Sequence, residues 1–283
     1  MSKDIGFFTL NNNVRIPKIG FGTYKAAENG DESVIKEAIR QGYTLFDTAS
    51  FYENEAIVGS AVKKSGLPRD HFFLTSKLWK TQMGYQNTLQ AFNDSCKQLK
   101  TDYLDLYLIH WPRPDLVCDW KKIVVETWKA LEELYDEKKV RAIGVSNFLP
   151  HHLDVILNSC KIMPAVDQIE FHPGYTQAET VNFCQSLRIQ VEAWSPIGRA
   201  RLIDNPLLNE IAAKYNKSVP QLCIRFSLQN NVLPLPKASS PERMAQNLDV
   251  FDFEISEEDM EKIMAMPVTG WSGEHPDAEP VAI

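Results

Sequence analysis

The chain has 283 residues, of which 44% are hydrophobic, enough to build a sizeable core. Its formal net charge of −7 disfavours nucleic acid and anionic membranes as partners. No apolar run reaches membrane-spanning length, and the N-terminus lacks the apolar core of a signal peptide. Five cysteines without Cys-x-x-Cys spacing predict reduced thiols in a cytoplasmic protein, with neither a disulfide framework nor a metal site.

The first predicted element is a β-hairpin. Residues 7–10 and 14–16 flank three asparagines, Asn11 to Asn13, which favour a tight turn. We expect this hairpin to cap the N-terminal end of a barrel formed by the strands that follow.

After the hairpin, short apolar runs alternate with amphipathic stretches, which is typical of parallel α/β proteins. Helical periodicity is clear over residues 34–39 and 124–135. Eight predicted strands without a linker-like break indicate one (β/α)8 TIM barrel domain over residues 1–283, with an irregular tail from Thr269. The predicted strands are Lys18–Gly22, Thr44–Thr48, Phe72–Lys77, Leu104–His110, Arg141–Val145, Val166–Glu170, Gln190–Trp194 and Val232–Pro236.

Four polar side chains lie at or just beyond the ends of successive predicted strands: Asp47, Tyr52, Lys77 and His110. Catalytic groups in such barrels lie at the C-terminal ends of the strands, which are about 4.8 Å apart, so we expect the four to converge. A phenol has an ordinary pKa of about 10, and a nearby ammonium favours its ionised form. The set therefore suits protonation of a carbonyl oxygen while hydride arrives at its carbon.

Each of these residues has a plainer interpretation on its own. Asp47 is then a turn cap, Lys77 a solvated cation, His110 a core histidine and Tyr52 a packing residue. Their co-occurrence at strand ends favours the catalytic interpretation. The second hypothesis is a non-catalytic barrel that binds a cofactor or partner. Such a protein could lose one of the four residues Asp47, Tyr52, Lys77 and His110 without losing its function, whereas all four are present here.

A hydride donor needs a binding site, and the sequence indicates one outside the Rossmann type. The string from Gly20 departs from G-x-G-x-x-G at its last position, and no P-loop string occurs. The segment from Lys237 to Arg243 instead follows the eighth strand. Ser240 as N-cap and Pro241 after it predict a helix start, where backbone N–H groups and two cations suit a phosphate. A capped surface helix with two solvated cations is the alternative.

Five strings in chain order resemble the aldo-keto reductases, a family of NADPH-dependent carbonyl reductases on a (β/α)8 barrel. They are Asp47-Thr-Ala-x-x-Tyr52-x-Asn54-Glu55, Leu74-Thr-Ser-Lys77, Leu108-Ile-His110-Trp-Pro112, Gly144-Val-Ser146-Asn147-Phe148 and Pro236-Lys237. The likeness runs from Gly20 to Asn247. A short loop after the seventh strand and the His275-Pro276-Asp277 string resemble microbial members of the 2,5-diketo-gluconate reductase type.

The resemblance implies that Tyr52 is the general acid of a tetrad completed by Asp47, Lys77 and His110. It also implies NADPH as cofactor and a small-molecule carbonyl substrate. We separately expect a monomer or weak homo-oligomer. The residues it assigns to the cofactor are Thr23, Ser146, Asn147, Gln168, Trp194, Ser195, Ile197, Lys237, Ser239, Ser240, Arg243 and Asn247.

The chain departs from the family pattern at two positions. Ala238 stands where the family commonly has serine, and Gln246 where it commonly has glutamate, so use of NADH stays open. Arg199 and Arg201 are predicted either to contact the pyrophosphate or to be solvated. The predicted substrate pocket is aromatic, and each of its residues is equally a candidate for core packing. These residues are Tyr24, Phe51, Trp79, Trp111, Phe148 and Trp271.

Overall fold

The computed structural model describes residues 5–26, 30–114 and 119–278, so Cys118 and the last five residues of the tail lie outside it. The strands are β1 Phe7–Thr9, β2 Arg15–Pro17, β3 Phe21–Gly22, β4 Leu45–Asp47, β5 Phe73–Leu78, β6 Leu104–Ile109, β7 Val140–Ser146, β8 Val166–Glu170, β9 Gln190–Trp194 and β10 Val232–Leu235. The helices are α1 Ser33–Gln41, α2 Glu55–Lys64, α3 Tyr85–Leu99, α4 Trp120–Asp136, α5 Pro150–Leu157, α6 Ala178–Ser186, α7 Pro206–Lys214, α8 Val219–Gln229, α9 Pro241–Leu248 and α10 Glu257–Met264.

The eight strands β3 to β10 form a parallel barrel, as the sequence predicts. They are hydrogen-bonded in chain order from β3 to β10. Gly20 N and Gly22 N then donate to Pro234 O and Pro236 O, both at 3.1 Å, which joins the first barrel strand to the last. A Cβ on Gly22 would lie 2.8 Å from Leu235 O, so the seam requires glycine there.

Strand alternation sorts the side chains into two layers, since successive residues point to opposite faces. Interior positions are apolar near the strand starts and form a buried cluster with the hairpin. Toward the C-terminal end of each strand, the inward-facing residues become polar. Asp47 follows Leu45 on the interior face of β4, and Lys77 lies beyond Phe73 on the interior face of β5. The residues between them, such as Phe46, pack outward against the helices. The sequence of each strand thus places an apolar plug below a polar mouth.

The N-terminal hairpin closes the bottom of this barrel. Strands β1 and β2 pair antiparallel around a turn in which Asn13 has a φ of 67°. Asn11 Nδ2 donates to Pro164 O at 2.8 Å, and Asn12 Nδ2 donates to Arg141 O at 2.9 Å. Leu10 and Ile16 belong to the interior apolar cluster. The predicted cap is therefore confirmed, with two asparagines tying it to the starts of β7 and β8.

The two stretches with predicted helical periodicity are helices α1 and α4. Seven of the eight predicted barrel strands agree with the structure to within one residue at each end. The first barrel strand is the exception, because it covers only Phe21–Gly22 where the sequence predicts Lys18–Gly22. Arg15–Pro17 pairs with Phe7–Thr9 as the second strand of the hairpin, so the chain uses the residues from Lys18 to turn into the barrel. No helix in the described ranges is long and apolar enough to cross a membrane.

One glycine offers a test of helix packing around the barrel. A Cβ on Gly59 of α2 would lie 2.4 Å from Leu99 O at the end of α3. In a free helix, glycine to alanine stabilises by about 0.5–1 kcal/mol, but here the close approach should reverse the sign. We expect Gly59→Ala to lower the free energy of unfolding by about 1–3 kcal/mol in urea. Lys63→Ala, on the exposed face of α2, is the control. A stabilised Gly59→Ala protein would contradict the packing argument.

Candidate active site

The four predicted tetrad residues meet at the C-terminal mouth of the barrel. Lys77 Nζ donates to Asp47 Oδ2 at 2.6 Å and to Tyr52 Oη at 3.3 Å. The His110 ring lies edge-on to the Tyr52 ring, with centroids 5.6 Å apart. Lys77 is fully buried and Asp47 is 4% exposed, so the ion pair is shielded from water.

The turn that carries Tyr52 is held from two sides. After β4 the chain forms a single 3-10 turn, Ser50–Tyr52, before α2 begins. Ser50 Oγ donates to Lys77 O at 3.1 Å, which ties the turn to β5. Asn54 Nδ2 donates to Thr23 O at 2.8 Å and its Oδ1 accepts from Thr48, which ties the other end to β3 and β4. Tyr52 is therefore fixed by side-chain hydrogen bonds of the residues on both sides of it, Ser50 and Asn54.

Burial and charge set the protonation states of the pair. Burial alone lowers the pKa of Lys77, but the charge of Asp47 and contacts with Tyr52 outweigh it and raise the pKa, so the ammonium persists. Burial raises the pKa of Tyr52, while the Lys77 ammonium opposes that rise. The lysine acts in the predicted direction, although burial has the larger effect. At neutral pH the phenol is protonated beside a fixed cation.

His110 is a neutral group in this site. Burial, and then the nearby Lys77 charge, hold the pKa of His110 well below its ordinary value. Its Nδ1 is buried and has no hydrogen-bond partner among the described residues. A neutral imidazole can donate one N–H to an oxygen without adding a further positive charge beside Lys77.

A second group of predicted residues is linked to the tetrad by hydrogen bonds. Gln168 Nε2 donates to Asp47 Oδ1 at 2.8 Å, and Ser146 Oγ donates to Gln168 O at 2.8 Å. Asn147 Nδ2 donates to the backbone oxygen of His110 at 3.0 Å, while Asn147 Oδ1 accepts from Trp194 Nε1 at 2.8 Å. Four side chains thus lie together beside the tetrad. They belong to Ser146 of β7, Asn147 directly after it, Gln168 of β8 and Trp194 of β9.

The strand ends around this group hold the remaining predicted residues near the mouth. Thr23 Oγ1 donates to Asp47 O at 2.8 Å. Ser195 has a φ of 51° directly after β9, and Ile197 is half-buried against the core. Arg199 lies over the Trp194 ring at 5.5 Å and pairs with Glu274 of the tail at 2.7 Å. Arg201 Nε donates to Gly198 O at 3.1 Å. Both arginines therefore have protein partners rather than being purely solvated.

The predicted phosphate segment forms the start of α9. Ser240 caps the helix by accepting from Arg243 N at 3.4 Å, and Pro241 occupies its first turn, as predicted. Lys237, Ser239 and Arg243 are exposed there. In contrast to these three exposed residues, Ala238 and Asn247 are buried, each only 4% exposed. Two exposed cations and one exposed hydroxyl thus lie at a helix N-terminus.

The predicted aromatic walls divide into two sets. Phe51 stacks on Trp79 with centroids 3.9 Å apart, and the Trp79 ring lies 5.2 Å from His110. Tyr24 lies 4.9 Å from the Tyr52 ring. These three side chains border the tetrad directly.

The other three predicted wall residues make no ring contact with the tetrad in the described chain. Phe148 is fully buried against His152, so it packs in the core. Trp271 is 39% exposed and stacks on Tyr175, while Trp111 is half-buried after His110.

Comparison with known proteins decides the family. The sequence model of the aldo/keto reductase family matches residues 18–266 of this chain. The chain belongs to the aldo/keto reductase family. It is an oxidoreductase of that family, with the eight-stranded barrel described above.

Relatives of this aldo/keto reductase cover nearly its whole length. It is 47% identical to glyoxal reductase of Bacillus subtilis (strain 168) over 270 residues, which are 95% of each chain. It is 45% identical to the 9,11-endoperoxide prostaglandin H2 reductase of Trypanosoma cruzi (strain CL Brener), covering 90% of this chain and 89% of the relative. The structure of MGS-M4, an aldo-keto reductase from a Medee basin deep-sea metagenome library, matches with a TM-score of 0.91 and 40% identity, covering 97% of this chain and 100% of MGS-M4. None of these three names indicates the narrower diketo-gluconate type.

The tail of this aldo/keto reductase crosses the mouth and is attached at several points. Thr269 N donates to Gly174 O at 3.1 Å. Ser272 donates through N and Oγ to the two carboxylate oxygens of Glu170, at 3.0 and 2.7 Å. Together with the Arg199–Glu274 pair, these contacts hold the irregular tail over the ends of β8 and β9.

The last tail contact joins Asp277 to the start of α5. His151 Nε2 and His152 Nε2 lie 3.2 and 2.9 Å from Asp277 Oδ1. Leu149 N donates to His152 Nδ1 at 3.1 Å, so neutral His152 carries its proton on Nε2 and donates it to Asp277. A metal-bound histidine instead donates through its other nitrogen. The three groups are close enough to hold a metal ion, but this pattern favours a tail contact.

Two buried carboxyls in this site have roles that the sequence interpretation missed. Glu170 receives the tail, and Glu192 accepts from Gln168 Nε2 at 2.8 Å. Each is a charged residue inside a run otherwise typical of a buried strand. An acidic residue at an interior strand position is the signal that identifies such groups, because burying it requires a partner.

The contact of Asp277 with the two histidines should restrain the motion of the tail. Burial raises the pKa of Asp277, but the contacts with the two histidines, first the hydrogen bond from His151, outweigh it and lower the pKa. Asp277 is therefore a carboxylate at neutral pH and accepts from both rings. We expect Asp277→Ala to speed amide exchange in residues 269–278 about fivefold, since a partly exposed pair contributes about 1 kcal/mol. Asp204→Ala, an exposed residue elsewhere, should leave exchange unchanged. Equal exchange in both variants would show that Asp277 does not anchor the tail.

Proposed function

We propose that this chain reduces an aldehyde, ketone or keto-sugar to the alcohol, with NADPH as hydride donor and Tyr52 as general acid. The observation that carries the proposal is the hydrogen-bonded chain from buried Asp47 and Lys77 to half-buried Tyr52, beside neutral His110 at the barrel mouth. Membership of a family of oxidoreductases supports the reaction class.

The proton step follows from the geometry of Lys77. When bound, the reduced nicotinamide supplies the hydride that forms the new C–H bond. Tyr52 Oη gives its proton to the carbonyl oxygen, and the ammonium 3.3 Å away stabilises the phenolate that forms. Asp47 keeps that ammonium charged and in place. Solvent then returns a proton to Tyr52, so the carbonyl gains a hydride and a proton overall.

His110 and the aromatic walls orient the carbonyl. His110 is neutral, so it can donate a hydrogen bond to the carbonyl oxygen without competing with Lys77 for negative charge. Phe51 and Trp79 give an apolar, flat wall next to it. We infer an accessible carbonyl flanked by an apolar or planar group as the substrate class. One relative is named for glyoxal and another for a prostaglandin endoperoxide, so the names of relatives support no single substrate.

The residues beside the tetrad suit a nicotinamide ring. Trp194 is half-buried, and its N–H is tied to Asn147, which presents the indole as a fixed stacking surface. Gln168 uses its amide N–H groups on carboxyl oxygens, which leaves its amide oxygen to accept from a carboxamide. Ser146 and Thr23 border the same space. We propose that this group holds the nicotinamide and its ribose, with Ser195 and Ile197 along the pyrophosphate.

The start of α9 suits the phosphate that distinguishes NADPH from NADH. Lys237 and Arg243 are exposed cations there, and Ser239 is an exposed hydroxyl. The Ser240 hydroxyl caps the helix, so only its spare hydrogen-bonding capacity is open to the phosphate. Asn247, buried beside Tyr43, is proposed to lie near the adenine. Ala238 lacks the hydroxyl of the serine that the family commonly has at this position, so we keep NADH as the second candidate hydride donor.

We also propose a cytoplasmic protein that works as a monomer or weak homo-oligomer on small molecules. The four cysteines in the described part of the chain are unpaired, which supports a reducing compartment.

A panel of aldehydes, ketones and keto-sugars, followed by NADPH absorbance, tests the reaction. The wild-type chain should oxidise NADPH with at least one member. Tyr52→Phe should retain NADPH binding and lose about 10²–10⁴-fold in kcat, because it removes the transferred proton. Tyr24→Phe, which removes a neighbouring phenol, should keep most of its kcat. Near-normal kcat in Tyr52→Phe would refute its role as the acid, and inactivity of the wild type on all carbonyls would refute the reaction.

Cofactor preference tests the α9 segment. Lys237→Ala and Arg243→Ala should each raise KM for NADPH by about 10-fold or more, since each removes a charged contact of about 1.5–3 kcal/mol. KM for NADH should change little. Glu242→Gln removes a negative charge from the same helix turn and should lower KM for NADPH. If KM rises equally for both cofactors, this segment does not bind the distinguishing phosphate.

A further inference from the structure

Glu192 is a fully buried carboxyl that the proposed proton step does not use. It lies at the middle of β9, in register with Gln168 of β8 and Leu233 of β10, and points into the barrel. A buried carboxyl is costly unless it has a partner or a neutral form. Its Oε1 has no hydrogen-bond partner among the described residues, whereas Oε2 accepts from Gln168.

Gln168 connects this carboxyl to the tetrad. Its Nε2 donates at 2.8 Å to Glu192 Oε2 and at 2.8 Å to Asp47 Oδ1, which occupies both hydrogens of the amide nitrogen. Asp47 Oδ2 in turn lies 2.6 Å from Lys77. The amide has one permitted orientation, because the flipped amide would place its oxygen against Asp47 Oδ1, which can only accept. Glu192 holds the amide in that orientation from the other side, which leaves the amide oxygen of Gln168 available to a ligand.

The charged groups around Glu192 decide its protonation state. Asp47 of β4 and Lys77 of β5 act on it from across the barrel. On β8, Glu170 is turned to Ser272 of the tail, and β10 offers only apolar residues in register. Burial, and then the Asp47 charge, raise the pKa of Glu192 to about 8. The carboxyl is therefore neutral at pH 7 and gains charge as the pH rises through about 8.

We infer that Glu192 is a positioning residue of the proton-donating site, acting through Gln168 on Asp47 and through Asp47 on Lys77. This inference rests on the proposed function, because it assigns Glu192 a part in the same reaction. Neutral Glu192 holds the amide while adding no charge. Ionised Glu192 places a second negative charge beside Asp47, which disfavours the Tyr52 phenolate and makes the phenol a weaker acid. Carbonyl reduction should therefore slow as Glu192 ionises.

Two substitutions separate these effects. Glu192→Gln keeps a neutral acceptor of the same shape, so kcat at pH 7 should stay within about twofold, and the fall of kcat above about pH 8 should be reduced. Glu192→Leu removes the acceptor and frees Gln168. It should lower kcat about 10-fold or more and raise KM for NADPH, because both the tetrad and the carboxamide contact lose their alignment.

Asp167→Asn is the matched control. Asp167 is also buried, and burial raises the pKa of its carboxyl well above the ordinary value, but it precedes Gln168 on β8 and faces Cys184 on the helix side. Its pH profile should follow that of the wild type. Thermal unfolding checks that each variant is folded, and the Glu192→Gln profile decides the matter if Glu192→Leu does not fold.

The outcomes are distinct. A Glu192→Gln protein with the wild-type alkaline fall in kcat would overturn the inference, as would a folded Glu192→Leu protein with wild-type kcat and KM. In either case wild-type turnover would leave the proposed function standing. A wild type without carbonyl reduction would overturn the proposed function itself, and with it the assignment of Glu192 to that reaction.

Discussion

The buried ion pair between Lys77 and Asp47 is the interaction on which the site depends. Neither charge can be removed alone without leaving the other in a poorly solvated interior, which typically costs about 3–5 kcal/mol. The pair is possible because β4 and β5 are neighbours in the barrel and each places a polar side chain on its interior face near its end. The phenol of Tyr52 lies against this cation on a turn fixed from two strands. Protonation, charge and position are therefore determined by the same set of contacts.

The lower part of the barrel interior stabilises the fold, and the upper part holds the polar groups of the site. The lower interior is a closed apolar cluster sealed by the hairpin, while the upper interior is polar and linked by hydrogen bonds from Lys77 to Glu192. Strand alternation makes this division possible within strands of only a few residues. The apolar plug excludes water from below, which strengthens the electrostatic coupling among the polar groups above it.

Much of this arrangement could be predicted from the sequence, because period-two strands, helical stripes and strand-end polar residues are local features. The eight strands, the hairpin cap and the convergence of the tetrad all follow from them. Contacts that depend on distant segments could not be predicted in the same way. Asp47 and Gln168 are 121 residues apart, and nothing local to either indicates their hydrogen bond. The pairing of Arg199 with Glu274 depends on the path of an irregular tail, for which no periodicity exists.

That tail lies beyond the part of the chain that the family's sequence model covers, which ends at residue 266. It nevertheless contacts Glu170, Arg199 and His152, each of which follows or ends a different barrel strand. The rim of the site is thus built partly from residues outside the region that the family model matches, whereas Asp47, Tyr52, Lys77 and His110 all lie within it. The residues that carry the family likeness and the tail that orders the rim are therefore encoded in separate parts of the chain.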